Sequence, residues 1–186
     1  MGQSYIKKYA SFLLIAFLLH GPAMGLIVKL ADLHTMAKQS DIVIHGYVGD
    51  QKVTTDDLGR LVTLTEIAVI DGLHGARTGE IITVYQVGGQ KHGLVMPIIG
   101  GQHYVVGQEL FLFGLKMGDA YVSYGAGLGK LDVVNENGHE LVIEDLGNVR
   151  AVRSASGKFD TFEPSPLSFP SKRILADEIR QMIKAK

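Results

Sequence analysis

Two strongly apolar segments lie on either side of a stretch broken by glycine pairs, and they constrain the fold more than any other feature. They are Ile81–Val87 (IITVYQV) and residues 110–115 (LFLFGL), each as long as an ordinary β-strand. The stretch between them contains Gly88-Gly89 and Gly100-Gly101, which favour turns and bulges over a helix. We therefore expect the domain to be arranged around these two strands.

The second of these segments is apolar on both of its faces. Leu110 and Leu112 fall on one face of a strand, and Phe111 and Phe113 fall on the other. A strand of this kind is buried on both sides. We expect the interior of a barrel on one side and a helix or loop on the other.

Other segments show the strand pattern of β-branched residues between turn signals. Gly46 predicts a bend or bulge within its strand, and Asn137-Gly138 predicts a two-residue type I′ hairpin. Residues 50–59 predict a polar loop. The predicted strands are residues 42–49, 60–70, 81–87, 110–115, 121–124, 130–135 and 149–153.

Two helices are predicted near the ends of the chain. Residues 26–39 have apolar side chains at helical spacing, and residues 172–184 form an amphipathic pattern that Ser168 or Ser171 would cap. No helix of crossover length lies between the strands. The fold class is therefore mainly β: a small antiparallel OB-like barrel with short N-terminal and C-terminal helices, or alternatively a β-sandwich.

The first residues have the composition of a signal peptide. Lys7 and Lys8 precede an apolar run at residues 9–19, and small residues at Ala23 and Gly25 predict cleavage after Gly25. An uncleaved anchor or a buried helix is the alternative. The predicted organisation is a signal peptide at 1–25, a β-barrel domain at 26–163, and a proline-rich connection with a C-terminal helix packed on the barrel at 164–186.

The absence of cysteine narrows the compartment. An exported chain with no cysteine forms no disulfides and carries no lipid anchor on an N-terminal cysteine. A bacterial periplasmic or extracellular location is expected, with no stable membrane span after cleavage. Loss of Lys7 and Lys8 changes the formal net charge from −1 to −3 (−1 − 2), which argues against a nucleic-acid partner.

Several motifs between residues 30 and 134 resemble those of uncharacterised exported bacterial proteins. They are DIVIHGYV at 41–48, the strand at 65–69 with GLHG at 72–75, VGG at 87–89, and GQELFLF at 107–113. The pattern is also loosely similar to the netrin-like barrel of the tissue inhibitors of metalloproteinases. The resemblance implies an OB-type fold without enzyme activity. Those inhibitors bind zinc through an N-terminal cysteine, so that mechanism does not transfer to this cysteine-free chain.

The residues capable of chemistry form no recognisable catalytic or cofactor motif. G-x-S-x-G does not occur, and S-x-x-K occurs only at Ser4–Lys7, within the predicted signal peptide. No histidine pair has the i, i+4 spacing of a helical metal site. We therefore assign no catalytic residue, cofactor or metal, and expect a non-catalytic binding or structural domain of the cell envelope. The alternative is a metal-dependent hydrolase or metal-binding protein that uses His92, His103 and a nearby carboxylate. Asp50, Asp56 and Asp57 could bind calcium, but their spacing lacks the EF-hand pattern and its closing Glu, so a solvated acidic loop is the favoured interpretation.

The segment at residues 90–104 is the predicted interaction surface. Its apolar part, KHGLVMPII, lies between the two glycine pairs, and Pro97 cannot donate a main-chain hydrogen bond. Such a segment either closes the mouth of the barrel as a lid or remains exposed as a docking edge for a protein partner. The candidate residues are Gln90, His92, Val95, Ile98, His103 and Tyr104.

Overall fold

The structure is a computed structural model that describes residues 27–28, 31–98, 102–144, 150–155, 158–162 and 166–185. In these ranges the fold is mainly β with two α-helices, as predicted. The helices are α1 (Leu33–Gln39) and α2 (Lys172–Lys184). The strands are β1 (Ile27–Val28), β2 (Ile42–Thr55), β3 (Leu61–His74), β4 (Ile81–Val87), β5 (Gly89–Lys91), β6 (Leu94–Met96), β7 (Glu109–Met117), β8 (Ala120–Ser123), β9 (Lys130–Glu136), β10 (His139–Glu144), β11 (Arg150–Ala155), β12 (Lys158–Phe162) and β13 (Ser168–Phe169).

Five strands close into a ring. β2, β3, β4 and β8 are neighbours in the sheet through antiparallel pairs and one parallel pair, β4 with β8, and β7 pairs with both β8 and β2. A closed five-stranded ring with this Greek-key order is an OB-like barrel, which confirms that prediction over the β-sandwich. The two apolar segments that dominate the sequence, β4 and β7, are not paired with each other; β8 lies between them.

The two faces of β7 contribute to two separate cores, as the alternation of Leu and Phe predicts. Leu110 and Leu112 lie in the barrel core, and Phe111 and Phe113 lie in an outer core beneath the two helices. The barrel core contains Ile42, Ile44, Val48, Ile67, Val69, Ile82, Val84, Tyr104, Leu110 and Leu112. The outer core contains Leu33, Met36, Ala37, Val43, Phe111, Phe113, Leu128, Leu131, Val142, Leu175, Ala176 and Ile179.

The strand β2 is longer than the sequence predicts. The pairing of β2 with β3 shifts register beside Gly46, where a bulge was predicted, and then continues to Thr55. A Cβ at Gly46 would lie 2.4 Å from the carbonyl oxygen of Ala68, so only glycine fits there. The predicted polar loop at 50–59 is therefore wrong over 50–55, because β2 continues through these residues and residues 51–55 pair with the start of β3.

The predicted type I′ hairpin between β9 and β10 is confirmed. Glu136 pairs with His139, and Asn137 and Gly138 both have the positive φ that this turn requires, 52° and 82°. β9 pairs with β7, and β10 continues the sheet beyond the ring. The hairpin therefore widens the surface on which the helices pack.

Both helices are present, but the first is shorter than predicted. Its cap is Asp32, whose side chain accepts a hydrogen bond from Thr35 N at 2.7 Å, so α1 begins at Leu33. Residues 27–28 form a strand parallel to β11 instead of helix. Ser171 caps α2, which was one of the two predicted caps, and Leu175 lies in the outer core.

The predicted signal peptide lies outside the described residues, and so does the second glycine pair. Within the described ranges, neither α1 nor α2 has the length and apolar character needed to cross a membrane. The signal peptide, its cleavage site and the three domain boundaries stay predictions.

Candidate functional site

The predicted interaction segment divides into two parts with opposite exposure. The first part is the β5–β6 hairpin, in which Gln90 pairs with Val95 and Lys91 pairs with Leu94. Leu94 and Val95 are 66% and 69% exposed. Because adjacent residues of a strand point to opposite faces, apolar side chains are exposed on both faces of this hairpin.

Glycines attach the hairpin to the barrel. Gly88 and Gly89 have φ values of 117° and 139°, which residues other than glycine rarely adopt. A Cβ at Gly88 would lie 2.6 Å from the carbonyl oxygen of Pro97, and one at Gly89 would lie 2.7 Å from the hydroxyl of Thr63. That hydroxyl donates to the carbonyl oxygen of Gly88 at 2.8 Å. The base of the hairpin therefore packs closely on β3, while its tip at His92 and Gly93 is exposed.

The second part, residues 102–108, closes one end of the barrel, and we call it the cover segment. Gln102 and Tyr104 are buried, whereas His103 and Val105 point outward. Glutamine amides hold it: Gln86 Nε2 donates to the Gln102 carbonyl at 2.9 Å, and Gln51 Nε2 donates to the Tyr104 carbonyl at 2.7 Å. The stretch KHGLVMPII, for which a lid or an exposed edge was considered, is thus exposed at Leu94 and Val95, and the lid is formed by the later residues 102–108.

This division decides which candidate residues can contact a partner. Gln90, His92, Val95 and His103 are exposed. Ile98 is half-buried, and its backbone approaches Gly88. The side chain of Tyr104 lies in the barrel core and is not available on the surface.

An ion pair is buried beneath the cover segment. Lys130 Nζ lies 2.5 Å from Asp132 Oδ1 and 5.5 Å from the ring centroid of Tyr104, and Lys130 is 1% exposed. Lys130 pairs with Leu112, and Asp132 pairs with Leu110. Paired residues of neighbouring strands point to the same side of the sheet, so both charged side chains point to the side on which Leu110 and Leu112 enter the barrel core. Burial raises the pKa of Tyr104, so this phenol stays protonated. The charges neutralise each other, which a low-dielectric interior requires.

A second polar cluster lies on the outside of the sheet at the start of α2. Glu109 Oε1 lies 2.7 Å from His45 Nε2 and accepts a hydrogen bond from Lys172 Nζ at 2.8 Å. Lys172 Nζ also lies 3.1 Å from Glu140 Oε2, and the His45 ring stacks on Phe111 with centroids 4.8 Å apart. The cluster joins β2, β7 and β10 to the first turn of α2.

The electrostatics of this cluster favour its charged form. Burial by itself would raise the pKa of Glu109, but the hydrogen bonds from Lys172 and His45 outweigh it and hold the pKa below its usual range. The hydrogen bond to Glu109 raises the pKa of Lys172, and the nearby Glu109 carboxylate raises the pKa of Tyr47. The cluster therefore fastens α2 to the sheet at neutral pH.

The acidic loop considered for calcium has a structural role at Asp56. Its Oδ1 accepts hydrogen bonds from the backbone of Leu58 and Arg60, and its Oδ2 accepts from the Arg60 side chain and the Tyr85 hydroxyl. Burial would raise the pKa of Asp56, but these bonds dominate and lower it to about 2. Both carboxylate oxygens therefore accept hydrogen bonds that stabilise the turn between β2 and β3.

The metal alternative gains no support from the geometry of the described residues. In the ranges that the structure describes, no three or more His, Cys, Asp or Glu side chains lie together in an arrangement that could hold a metal ion. His92 lies at the tip of the hairpin, and His103 lies on the outer side of the cover segment. Both are exposed.

Comparisons of the chain with known protein families, with characterised proteins and with solved structures found no match. The fold therefore places the chain only in the broad class of small OB-like barrels. The resemblance to exported bacterial proteins and to netrin-like barrels stays a prediction.

The two polar clusters were not predicted as sites from the sequence. The sequence does contain a signal for the buried ion pair: Lys130 and Asp132 lie on one face of a strand, and Leu131 lies on the other. The sequence contains no such signal for the second polar cluster, because its members are separated by up to 127 residues (172 − 45) and meet only through strand pairing and helix packing.

Proposed function

We propose that this chain is a non-catalytic binding domain of the bacterial cell envelope, and that the β5–β6 hairpin is its contact element. The observation that carries this proposal is the exposure of Leu94 and Val95 outside both cores. Adjacent exposed apolar side chains cost solubility unless a partner covers them, so they typically mark an interaction surface. The rigid attachment of the hairpin at Gly88 and Gly89 supports this role, because a fixed base presents the same surface to every partner molecule.

The polar clusters have structural explanations that require no substrate. Lys130 and Asp132 neutralise each other inside the barrel, and Glu109 with Lys172 fastens α2. These roles favour a binding domain over the hydrolase alternative.

The proposal includes export through the N-terminal segment. The apolar run after Lys7 and Lys8 supports this step. We expect N-terminal sequencing of the exported protein to begin at Leu26, and we expect Leu13→Arg/Leu14→Arg to retain the full-length chain in the cytoplasm, because charges prevent insertion of the run. A wild-type protein that remains cytoplasmic and uncleaved would contradict export.

The contact element is tested with a double substitution in the hairpin. Leu94→Asp/Val95→Asp is expected to abolish co-sedimentation of the purified protein with a washed envelope fraction, because it replaces the exposed apolar surface with charge. The thermal midpoint should change by no more than about 2 °C, since neither side chain is in a core.

A matched control comes from the other end of the barrel. Ile81 is 64% exposed on β4, so Ile81→Asp removes a comparable apolar side chain outside the hairpin. This variant should co-sediment like the wild type. If the hairpin variant also sediments unchanged, the hairpin is not the contact element; if it unfolds, Leu94 and Val95 stabilise the fold instead.

A further inference from the structure

The hairpin and the cover segment lie at the same end of the barrel. β4 leads into the hairpin at Val87, which pairs with Val62 near the start of β3, and β7 begins at Glu109, which pairs with Tyr47. Since β2 is antiparallel to both β3 and β7, the starts of β3 and β7 lie at the same end of the barrel. The end of β4, which pairs with the start of β3, lies there too. Two exposed apolar pairs therefore project from one end, Leu94 with Val95 and Val105 with Val106.

This part of the chain lacks negative charge. Residues 81–108 contain no Asp or Glu, although the whole chain has 19 acidic residues. They do contain Lys91, His92 and His103. Lys91 is the only residue of this segment with a formal charge, and it complements an anionic occupant. The turn between β2 and β3 at the same end of the barrel also carries Asp56 and Asp57, of which Asp56 is paired with Arg60.

The geometry of the hairpin restricts how that occupant covers it. A flat protein surface covers one face of a hairpin, whereas Leu94 and Val95 are exposed on opposite faces. Addition of a partner strand gains little, because β6 has three residues and offers about two outward main-chain hydrogen bonds. Immersion in the interfacial region of a lipid bilayer covers both faces at once and leaves the polar main chain in contact with water and headgroups.

We infer that the partner of this end of the barrel is an anionic lipid surface, into which Leu94 and Val95 insert while Lys91 contacts the headgroups. The inference rests on the proposed function and names the partner of the same contact element. Val105 and Val106, on the turn that ends the cover segment, extend the apolar surface. The protein partner expected from the sequence becomes the alternative outcome.

The test is co-sedimentation of the purified protein with vesicles of phosphatidylglycerol and, separately, of phosphatidylcholine. The wild type should bind the anionic vesicles more strongly, and added salt should weaken this binding. Leu94→Ser/Val95→Ser should lower the partition coefficient about tenfold. Lys91→Gln should lower it about fivefold on the anionic vesicles only.

Matched controls carry the same chemical changes at the opposite end of the barrel. Ile81→Ser removes an exposed apolar side chain at the start of β4, and Lys116→Gln removes an exposed positive charge near the end of β7. Both should bind vesicles like the wild type. Equal losses in the controls and the hairpin variants would overturn the inference.

The failure of this inference is distinguishable from failure of the proposed function. If no vesicle binds, but the envelope fraction still retains the wild type and not Leu94→Asp/Val95→Asp, the lipid inference is wrong and a protein partner takes its place. If the envelope fraction retains that variant as well, the hairpin is not a contact element and both fail. Vesicle binding that requires Leu94, Val95 and Lys91 supports both.

Discussion

Replacing Asp132 with leucine is expected to lower the free energy of unfolding by about 3–5 kcal/mol, because it leaves the ammonium group of Lys130 buried without its counter-charge. Lys130 is 1% exposed and lies beneath Tyr104, so water cannot replace the lost carboxylate without opening the barrel. Lys130→Met should cost a similar amount, because it leaves Asp132 as the unpaired charge. Urea unfolding of each variant measures these losses.

The double variant distinguishes charge neutralisation from simple loss of packing. Lys130→Met/Asp132→Leu fills the same space with apolar side chains, so we expect its stability to lie within about 1 kcal/mol of the wild type or above it. Asp177→Ala removes an exposed ion pair with Arg180 and should cost at most about 1 kcal/mol. If each single buried substitution costs no more than this control, Lys130 and Asp132 are not coupled as the structure places them.

Replacing Phe113 with alanine is expected to lower the free energy of unfolding by about 3–5 kcal/mol. Phe113 is fully buried in the outer core, which also contains Leu33 of α1 and Leu175 of α2. Its loss leaves a cavity between the sheet and both helices, and the surrounding side chains are too closely packed to move in and fill that cavity. Urea unfolding followed by circular dichroism measures the loss.

The same strand supplies a control for this substitution. Met117 lies on the same face of β7 but is 41% exposed, so Met117→Ala removes a large side chain without leaving a buried cavity. It should cost less than about 1 kcal/mol. Equal losses for the two variants would show that the helices do not pack on Phe113.

Local patterns were sufficient to predict much of the barrel. The alternation of Leu110 and Leu112 with Phe111 and Phe113 assigned β7 to two cores, because side chains of a strand alternate between faces whatever its partners are. Asn137-Gly138 predicted its turn because few other residues adopt positive φ at two successive positions. Each of these signals operates over a few neighbouring residues.

The limits of strands and helices depend on the strands with which their residues pair. The polar residues at 50–55 indicated a loop, but residues 51–55 form main-chain hydrogen bonds with β3, and this pairing extends β2. Residues 27–28 read as part of a helix, but pairing with β11 makes them a strand. In both cases main-chain hydrogen bonds to another strand outweigh local preference.

Only the tertiary structure decided what the segment between β4 and β7 does. The central stretch of this segment, residues 94–99, is apolar, and that pattern was compatible with either a lid or an exposed edge. Gln51 and Gln86 hold the main chain of Tyr104 and Gln102 over the barrel. The hairpin turns between Lys91 and Leu94 and leaves Leu94 and Val95 outside both cores. The sequence determined that this segment has an apolar stretch between two glycine pairs and no acidic residue. The barrel buries Gln102 and Tyr104 of this segment, so Leu94 and Val95 remain exposed.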